Sequence, residues 1–547
     1  MTSPGVAEMA RMRAEAEAAE YPESIGDFVD RAASLHGERV LARYLDGGLE
    51  LSYRQFAEAT KRLASSFLNY GIRKGTHVAV MLPNVPAFAL TWVALGRIGA
   101  VMVPVNTGYT QEELTFVLGD SDAQFVVIDA AFLETLDRME QVPPLLRDRP
   151  AALIVHGGSR EGAGDFLAML DHGAPDFVAP SPVGRNDLLN LQYTSGTTGF
   201  PKGCMLPHDY WILIGSNAAR WRGATGDVKN VLIWAPFFYM DPQWQFLMAM
   251  ALGGTAKIAP RMSLSKFYGY LKDEEIHYCI FPEPGLEAWT EGPMDRDVHL
   301  KYVSIFGWRA EAREEVQRRF GLLARESFGM TEIGGGTLVP SSDKERALQV
   351  TTGLPAAFRE CMIADEDGNE LPRGTVGELC VAGRGILWGY YKRPEANAAS
   401  FRGKWFRTGD LFVQDEEGYL RIVGRIKDMI RRSGENIAAQ EVEAALRAMD
   451  GVWEVAAVGV PDPRRGQEVK AYILPEEGVR PEDIPPEAIL AHCESRLAKF
   501  KQPRFIEYVS EFPRTPSNKI RKPDLVAAKP DLRAGSWDRE SGTWLPG

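Results

Sequence analysis

At 547 residues the chain is too long for one ordinary hydrophobic core, so two or more domains are expected. A hydrophobic content of 45% with 25% charged residues is that of a soluble globular protein, and a net charge of −12 argues against a nucleic-acid partner, which would want a basic surface. The cysteines (Cys204, Cys279, Cys361, Cys380, Cys493) are scattered and odd in number, with no CxxC pair or metal-like Cys/His spacing, which fits a reduced, cytoplasmic chain.

Met1 to Glu20 is rich in Ala, Glu and Arg, lacks an apolar signal core, and reads as a polar helix or a loose arm. Ser52 with Gln55 forms a capping-box pattern, and apolar residues then recur at helical spacing to Gly71. His77–Leu82 is strand-like. The longest apolar segment, Pro86–Val105, contains Arg97 and reads as a buried helix to Gly99 and a strand from Val101, not as a membrane span. Thr110 with Glu113 repeats the capping pattern before a helix to Gly119, and Gln124–Ile128 is a strand. Helices alternating with short Val/Ile runs imply βαβ units and a mainly parallel sheet. Glu161–Pro182 is weakly patterned, as in a surface excursion. Leu188–Leu191 reads as a short buried strand and His208–Trp221 as a helix. Val231–Trp234, Thr255–Ile258, His277–Phe281 and Tyr302–Phe306 read as further strands, and Ser327–Glu332 as a loop after the next. From Gly353 to Leu420 short strands alternate with Gly, Pro and Asp/Asn turns, as in a small β-rich subdomain. After Gly424 the helical stretches Glu441–Ala448 and Pro486–Lys499 and the strands Val455–Val458 and Lys470–Ile473 suggest a separate small α+β domain.

The chemistry concentrates in Tyr193–Gly203, YTSGTTGFPKG, which reads as a Ser/Thr/Gly loop between a strand and a helix. Glycines let backbone N–H groups approach closely, hydroxyls donate, and Lys202 supplies a compact positive charge, so the stretch suits a phosphate. The spacing of the common nucleotide P-loop is absent, and a polar Gly-rich loop is also often only a turn. Further stretches join it: Phe328-Gly329-Met330-Thr331-Glu332; Trp405-Phe406-Arg407-Thr408-Gly409-Asp410; Gly424-Arg425-Ile426-Lys427-Asp428; Arg431–Ile437; and Arg514–Arg521. Each alone has an ordinary structural reading, such as an Asx turn at Asp410 or a surface lysine at position 519.

Together, in this order and spacing, these stretches resemble the adenylate-forming superfamily, within it the acyl-CoA synthetases, from about Ser52 to Leu525. The resemblance implies an α/β fold: a large N-terminal domain of parallel-rich sheets with helices and a small β-rich subdomain (1–424), and a small mobile α+β C-terminal domain (425–547) hinged at 425–428. It implies ATP, Mg²⁺ and coenzyme A, and a carboxylic acid activated as an acyl-adenylate and then passed to CoA. Thr194, Ser195, Gly196, Thr197, Thr198, Gly199 and Lys202 match the loop holding the β- and γ-phosphates, and Thr331 the residue near the α-phosphate. Glu332 matches the magnesium carboxylate, with Thr194 a further metal-side oxygen. Asp410 matches the ribose aspartate, with Arg425 beside it; Gly307 and Phe328 match positions at the nucleotide. Lys427 falls at the hinge. Lys519 matches the lysine bridging substrate carboxylate and α-phosphate. Ser433, Gly434 and Glu435 match the loop lining the pantetheine tunnel. Trp211, Phe237, Phe238, Tyr239, Trp244, Gly307, Trp308 and Gly329 match positions around the acyl group, and that large aromatic lining favours a bulky hydrophobic or ring-bearing acid.

The chain departs from the family pattern at Tyr239, where histidine is common, at Trp308 and Arg309, where small residues are usual, and at Asn518, where glycine commonly precedes the lysine. These positions leave open a relative that only thioesterifies a preformed adenylate or merely binds nucleotide; a ligase that loads a carrier protein is a further alternative. A homodimer is also left open; no nucleic acid and no membrane span are expected.

Overall fold

The computed structural model describes residues 3–139, 142–143, 149–194, 201–223, 227–282, 285–286, 295, 297–306, 308, 310–433, 435–494, 496–514 and 519–547. The chain divides into two compact units, Met1–Glu360 with Val381–Trp405, and Cys361–Cys380 with Phe406–Gly547. The boundary drawn from the sequence at 424/425 falls inside the strand Leu420–Arg425 of the second unit, and Asp410 lies in that unit too.

The first unit is built on two sheets. One has the order Gly164–Asp165, Leu153–His156, Phe125–Asp129, His77–Met81, Val101–Pro104, Leu188–Thr194, Lys202–Pro207. All its neighbours are parallel except the last pair, which is antiparallel. Its inner strands are apolar on both faces, as strands covered by helices must be, and Val103, Ile128, Leu191 and Val126 form one core. The helix Pro86–Ile98 is buried along its whole length, and Arg97 within it is neutralised by a two-pronged pair to Asp30 at 3.0 and 2.8 Å. Both capping boxes close, at Ser52/Gln55 and Thr110/Glu113.

The other sheet runs Leu354–Pro355, Gly334–Leu338, Ala324–Met330, Tyr302–Ile305, Tyr278–Ile280, Asn230–Ile233, Thr255–Ile258, Val40–Tyr44, Leu49–Ser52, parallel in its interior and antiparallel at both ends.

Two local readings change, and the choice left at the N-terminus is settled as helix. The glycine-rich stretch does not connect strand to helix. Lys202–Pro207 is itself a strand antiparallel to Leu188–Thr194, with Thr194 opposite Lys202, so the stretch tops a hairpin and the helix His208–Gly223 follows afterwards. The strand is short, and Pro207 stops it against the helix start, which hid it from a periodicity reading. Ser327–Met330 is strand, paired with Gly334–Leu338, and only Thr331–Ile333 turn. The N-terminal residues form a docked helix, Pro4–Ala18, with Met9, Met12 and Ala16 buried.

The second unit has its own core around Val442, Leu446, Val455, Ala471 and Ile506. Its sheet has the order Glu435–Ala438, Met429–Arg432, Gly466–Pro475, Phe505–Tyr508, Trp537–Asp538, Thr543–Trp544, with Val452–Asp462 also pairing with Gly466–Pro475. Among the described residues no helix is long and apolar enough to cross a membrane.

Candidate active site

In the first unit both hairpin stems are pinned to their neighbours. Tyr193 donates to Asp120 at 2.8 Å, and Arg393 clamps the other oxygen of the same carboxylate at 2.6 Å. The stretch Leu387–Tyr391 runs beside the second stem: Met205 N–H donates to Gly389 at 3.0 Å, Trp388 N–H to Met205 at 3.0 Å, and Tyr391 N–H to Gly203 at 2.8 Å. This alignment sets Tyr390 opposite Cys204. The Lys202 ammonium rests 4.2 Å from the centre of the Tyr390 ring, a cation–π contact.

The turn bearing Thr331 and Glu332 is held against the same stretch. Leu387 N–H donates to the Glu332 carbonyl at 2.8 Å, and the Tyr390 hydroxyl donates to Glu332 Oε1 at 2.8 Å. Behind it the buried Arg359 guanidinium donates to the Ile333 carbonyl from Nε (3.0 Å) and Nη2 (2.7 Å), fixing the turn. Glu332 is only 7% exposed, so its charge acts in a poorly screened setting. Burial, and then the Glu332 charge, push the Tyr390 phenol up, so it stays a proton donor. Thr194 is half-buried with its hydroxyl 3.5 Å from the Lys202 carbonyl. Ser195, Gly196, Thr197, Thr198 and Gly199 lie outside the described residues, as do Gly307, Arg309, Gly434 and Asn518.

The aromatic positions separate into two groups. The rings of Phe238 and Tyr239 lie 4.7 Å apart, tilted at 57°, and Asn106 donates to the Tyr239 hydroxyl at 3.4 Å. Their loop is tied to the hairpin by buried amides. Gln192 donates to the Phe238 carbonyl at 2.7 Å. Gln243 donates to the Phe237 and Tyr239 carbonyls at 2.9 and 3.1 Å, and accepts from Asn190 at 2.9 Å. Trp244 is buried beneath the Arg222 guanidinium at 4.9 Å, and its indole N–H donates to Asp241 at 2.8 Å. The described neighbours of the rest are core rings: Phe237 meets Phe88 and Phe246, Trp211 meets Trp92, and Trp308 meets Phe281 at 5.8 Å. Phe328 is half-buried and Gly329 exposed, and a Cβ on Gly329 would fall 2.6 Å from the Gly334 carbonyl.

In the second unit Asp410 and Arg425 face each other across antiparallel strands, joined at 2.9 Å, with Asp410 2% exposed. No turn precedes Asp410: Trp405–Gln414 is one strand, and its first half is held by Glu378, which pairs with Arg407 at 2.6 Å and accepts from Gly409 N–H at 3.0 Å. Gly409 sits at φ +73°, a conformation glycine adopts without strain. Lys427 is exposed in a short 3₁₀ turn, and partial desolvation of its ammonium, then the neighbouring Arg425 charge, lower its pKa. Ser433, at φ +52°, donates its N–H to the Arg465 carbonyl at 2.8 Å, and Glu435 opens the returning strand. Lys519 is exposed, next to the bridge between Arg514 and Ile520. Three residues on, Lys522 pairs with Glu443 at 2.6 Å.

Sequence reasoning missed Tyr390, Arg359, Asp120 and the Gln192–Gln243 pair. The signal for Tyr390 was slight: a tyrosine after Gly389 in a glycine-containing stretch reads as turn, and only the pairing with the hairpin turns it inward.

A lysine on a hairpin stem beside a buried carboxylate, with an aromatic loop tied to the same hairpin, on a two-sheet α/β body with a separate small α+β unit, is the arrangement of an enzyme that activates its substrate with a nucleotide. The AMP-binding enzyme model matches residues 29–391, and the model of the AMP-binding enzyme C-terminal domain matches 441–519. The chain is 31% identical over 486 residues to a crotonobetaine/carnitine–CoA ligase of Citrobacter koseri, covering 87% of this chain and 93% of that one. It is 32% identical over 506 residues to a feruloyl-CoA synthase of an Amycolatopsis species, covering 91% and 98%. A fatty acyl CoA synthetase structure from Mycobacterium tuberculosis superposes with a TM-score of 0.70 at 27% identity, covering 92% of this chain and 98% of that one. The chain belongs to the AMP-binding enzyme family, and its class is that of the AMP-forming acid–thiol ligases of the acyl-CoA synthetase kind.

Proposed function

We propose that the enzyme joins a ring-bearing hydrophobic carboxylic acid to coenzyme A, with ATP, through an acyl-adenylate. The observation that carries this reading is the single framework holding Lys202, Glu332 and the Phe238–Tyr239 loop, which keeps phosphate-binding groups and an aromatic acid surface in one body. The feruloyl-CoA synthase relatives support a ring-bearing acid. A carboxylate oxygen attacks the α-phosphorus, the acyl–O–P bond forms, and pyrophosphate leaves. The CoA thiolate then attacks the acyl carbon and AMP leaves. Lys202 holds the departing phosphates, Thr331 lies at the α-phosphate, and Lys519 draws acid and α-phosphate together, all by positioning and charge.

Glu332 fits Mg²⁺. Its buried carboxylate, which accepts the Tyr390 hydroxyl at one oxygen, would hold the ion, with ATP and water supplying the other oxygens, as is common for Mg²⁺. Bound there, the ion neutralises phosphate charge. Asp410 and Arg425 hold the ribose, Ser433, Gly434 and Glu435 meet pantetheine, and Lys427 with its 3₁₀ turn is the hinge between adenylation and thioesterification, so that 1–424 works as the adenylation domain and 425–547 as the mobile one.

The test is ATP–pyrophosphate exchange over a panel of acids, from short aliphatic through fatty to cinnamic and benzoic types. Exchange strongest with ring-bearing acids is expected. Exchange confined to acetate or long-chain acids overturns the acid class, and none with any acid, alongside CoA transfer from synthetic acyl-adenylates, overturns the first step.

A further inference from the structure

Tyr390 touches both charged groups of the nucleotide site through different parts of one side chain. Its ring face carries the Lys202 ammonium at 4.2 Å and its hydroxyl donates to Glu332 Oε1 at 2.8 Å. Its backbone is held on both sides: Cys204 lies opposite it in a bridge, and Asn397 accepts the Tyr390 N–H at 2.6 Å and donates to its carbonyl at 2.9 Å. Gly389 before it sits at φ +133°, and a Cβ there would meet Asn397 at 2.9 Å, so the backbone turn that aims the ring requires glycine.

Lys202 and Glu332 carry opposite charges on neighbouring elements, and both act on Cys204. Two such groups in a poorly solvated site tend to pair with each other, which would withdraw the ammonium from phosphate and the carboxylate from metal. A tyrosine offers the cation a π face and the anion a hydroxyl, satisfying each without neutralising either. We propose that Tyr390 is the positioning residue of the nucleotide site: it holds the Glu332 carboxylate in the orientation that accepts the metal and keeps Lys202 apart from it and directed to the phosphates. This rests on the assignment of Glu332 to Mg²⁺ and of Lys202 to ATP under Proposed function.

The two parts of the side chain are separable. Tyr390→Phe removes the hydroxyl and keeps the ring; Tyr390→Leu removes both. ATP binding to the full-length enzyme is measured by calorimetry without acid, first in EDTA and then across a Mg²⁺ series. For Tyr390→Phe, metal-free ATP affinity stays at the wild-type value, while the Mg²⁺ concentration giving half of the metal-dependent gain rises roughly tenfold, the loss of one hydrogen bond to a charged group. For Tyr390→Leu metal-free affinity falls as well. In Glu332→Gln the metal response is already weakened, and adding Tyr390→Phe changes it no further, because the hydroxyl acts through that carboxylate. A Tyr390→Phe enzyme with the wild-type Mg²⁺ midpoint overturns the proposal, as does a double variant whose losses add. These comparisons do not need Tyr390→Leu to fold. A wild-type enzyme whose ATP binding ignores Mg²⁺ removes the metal role of Glu332, and the tyrosine's role falls with it. A metal-dependent wild type with an insensitive Tyr390→Phe removes the tyrosine's role alone.

Discussion

Lys202 is one positive charge whose worth depends on where it rests. Held on the Tyr390 ring at a hairpin stem, its ammonium has little conformational freedom left to lose when phosphate arrives. Replacing it with methionine, which keeps the aliphatic stem, should lower the rate of ATP–pyrophosphate exchange by about 100-fold, the usual scale for one preorganised charge contact. The far-UV circular dichroism should not change. His208 is the opposite case, a titratable group kept neutral. It is fully buried at the start of the helix after the hairpin, where its Nδ1 accepts from Ile25 N–H at 3.0 Å. Burial lowers its pKa to about 4 from 6.5, against the opposing pull of Asp187. The unfolded chain therefore takes up the proton first. The stabilisation is complete above pH 6.5, declines as pH falls towards 4, and amounts to about 3 kcal/mol over that window. Urea unfolding of the wild type and of His208→Asn across pH 4 to 7 should show the extra slope in the wild type alone.

At the scale of elements, the buried amides couple two loops of different jobs. Asn190 and Gln192 belong to the hairpin strand, Gln243 to the helix Met240–Ala251, and the carbonyls they serve to Phe237, Phe238 and Tyr239. Gln243→Leu leaves buried carbonyls and the Asn190 amide without that partner, and should cost about 3 kcal/mol in denaturant unfolding. Because the loop it anchors is assigned to the acid, KM for the acid should rise more than KM for ATP. Thr110→Ala, at the exposed capping box, should cost only about 1 kcal/mol and leave both KM values unchanged. The contrast between these two variants separates a polar network that positions a site from one that only ends a helix.

At the scale of the molecule, the residues proposed above for the nucleotide belong to different units: Lys202 and Glu332 to the first, Asp410 and Lys519 to the second. Lys519 is exposed on its own unit, as expected of a group that works against a ligand and not in a core. Lys519→Ala should reduce exchange by at least about 100-fold. The same variant should keep most of its CoA transfer from a synthetic acyl-adenylate, because the step it serves has then been bypassed. Equal losses in both assays would place Lys519 in a structural role.

Much of this was legible in the chain itself. The βαβ alternation, the capping boxes at Ser52 and Thr110, the buried helix around Arg97 and the set of motifs that marks the family all follow from local periodicity, from turn chemistry and from residue order. These depend on neighbours in sequence. What depends on neighbours in space was not legible: the second hairpin strand Lys202–Pro207, the turn of Trp308 into the core against Phe281, the amide ladder under the aromatic loop, and Tyr390 between Lys202 and Glu332. Tyr390 lies 188 positions from Lys202 and 58 from Glu332. No pattern along the chain links them; the ladder of hydrogen bonds between Leu387–Tyr391 and the hairpin does, because a strand edge pairs with whatever backbone the fold lays beside it.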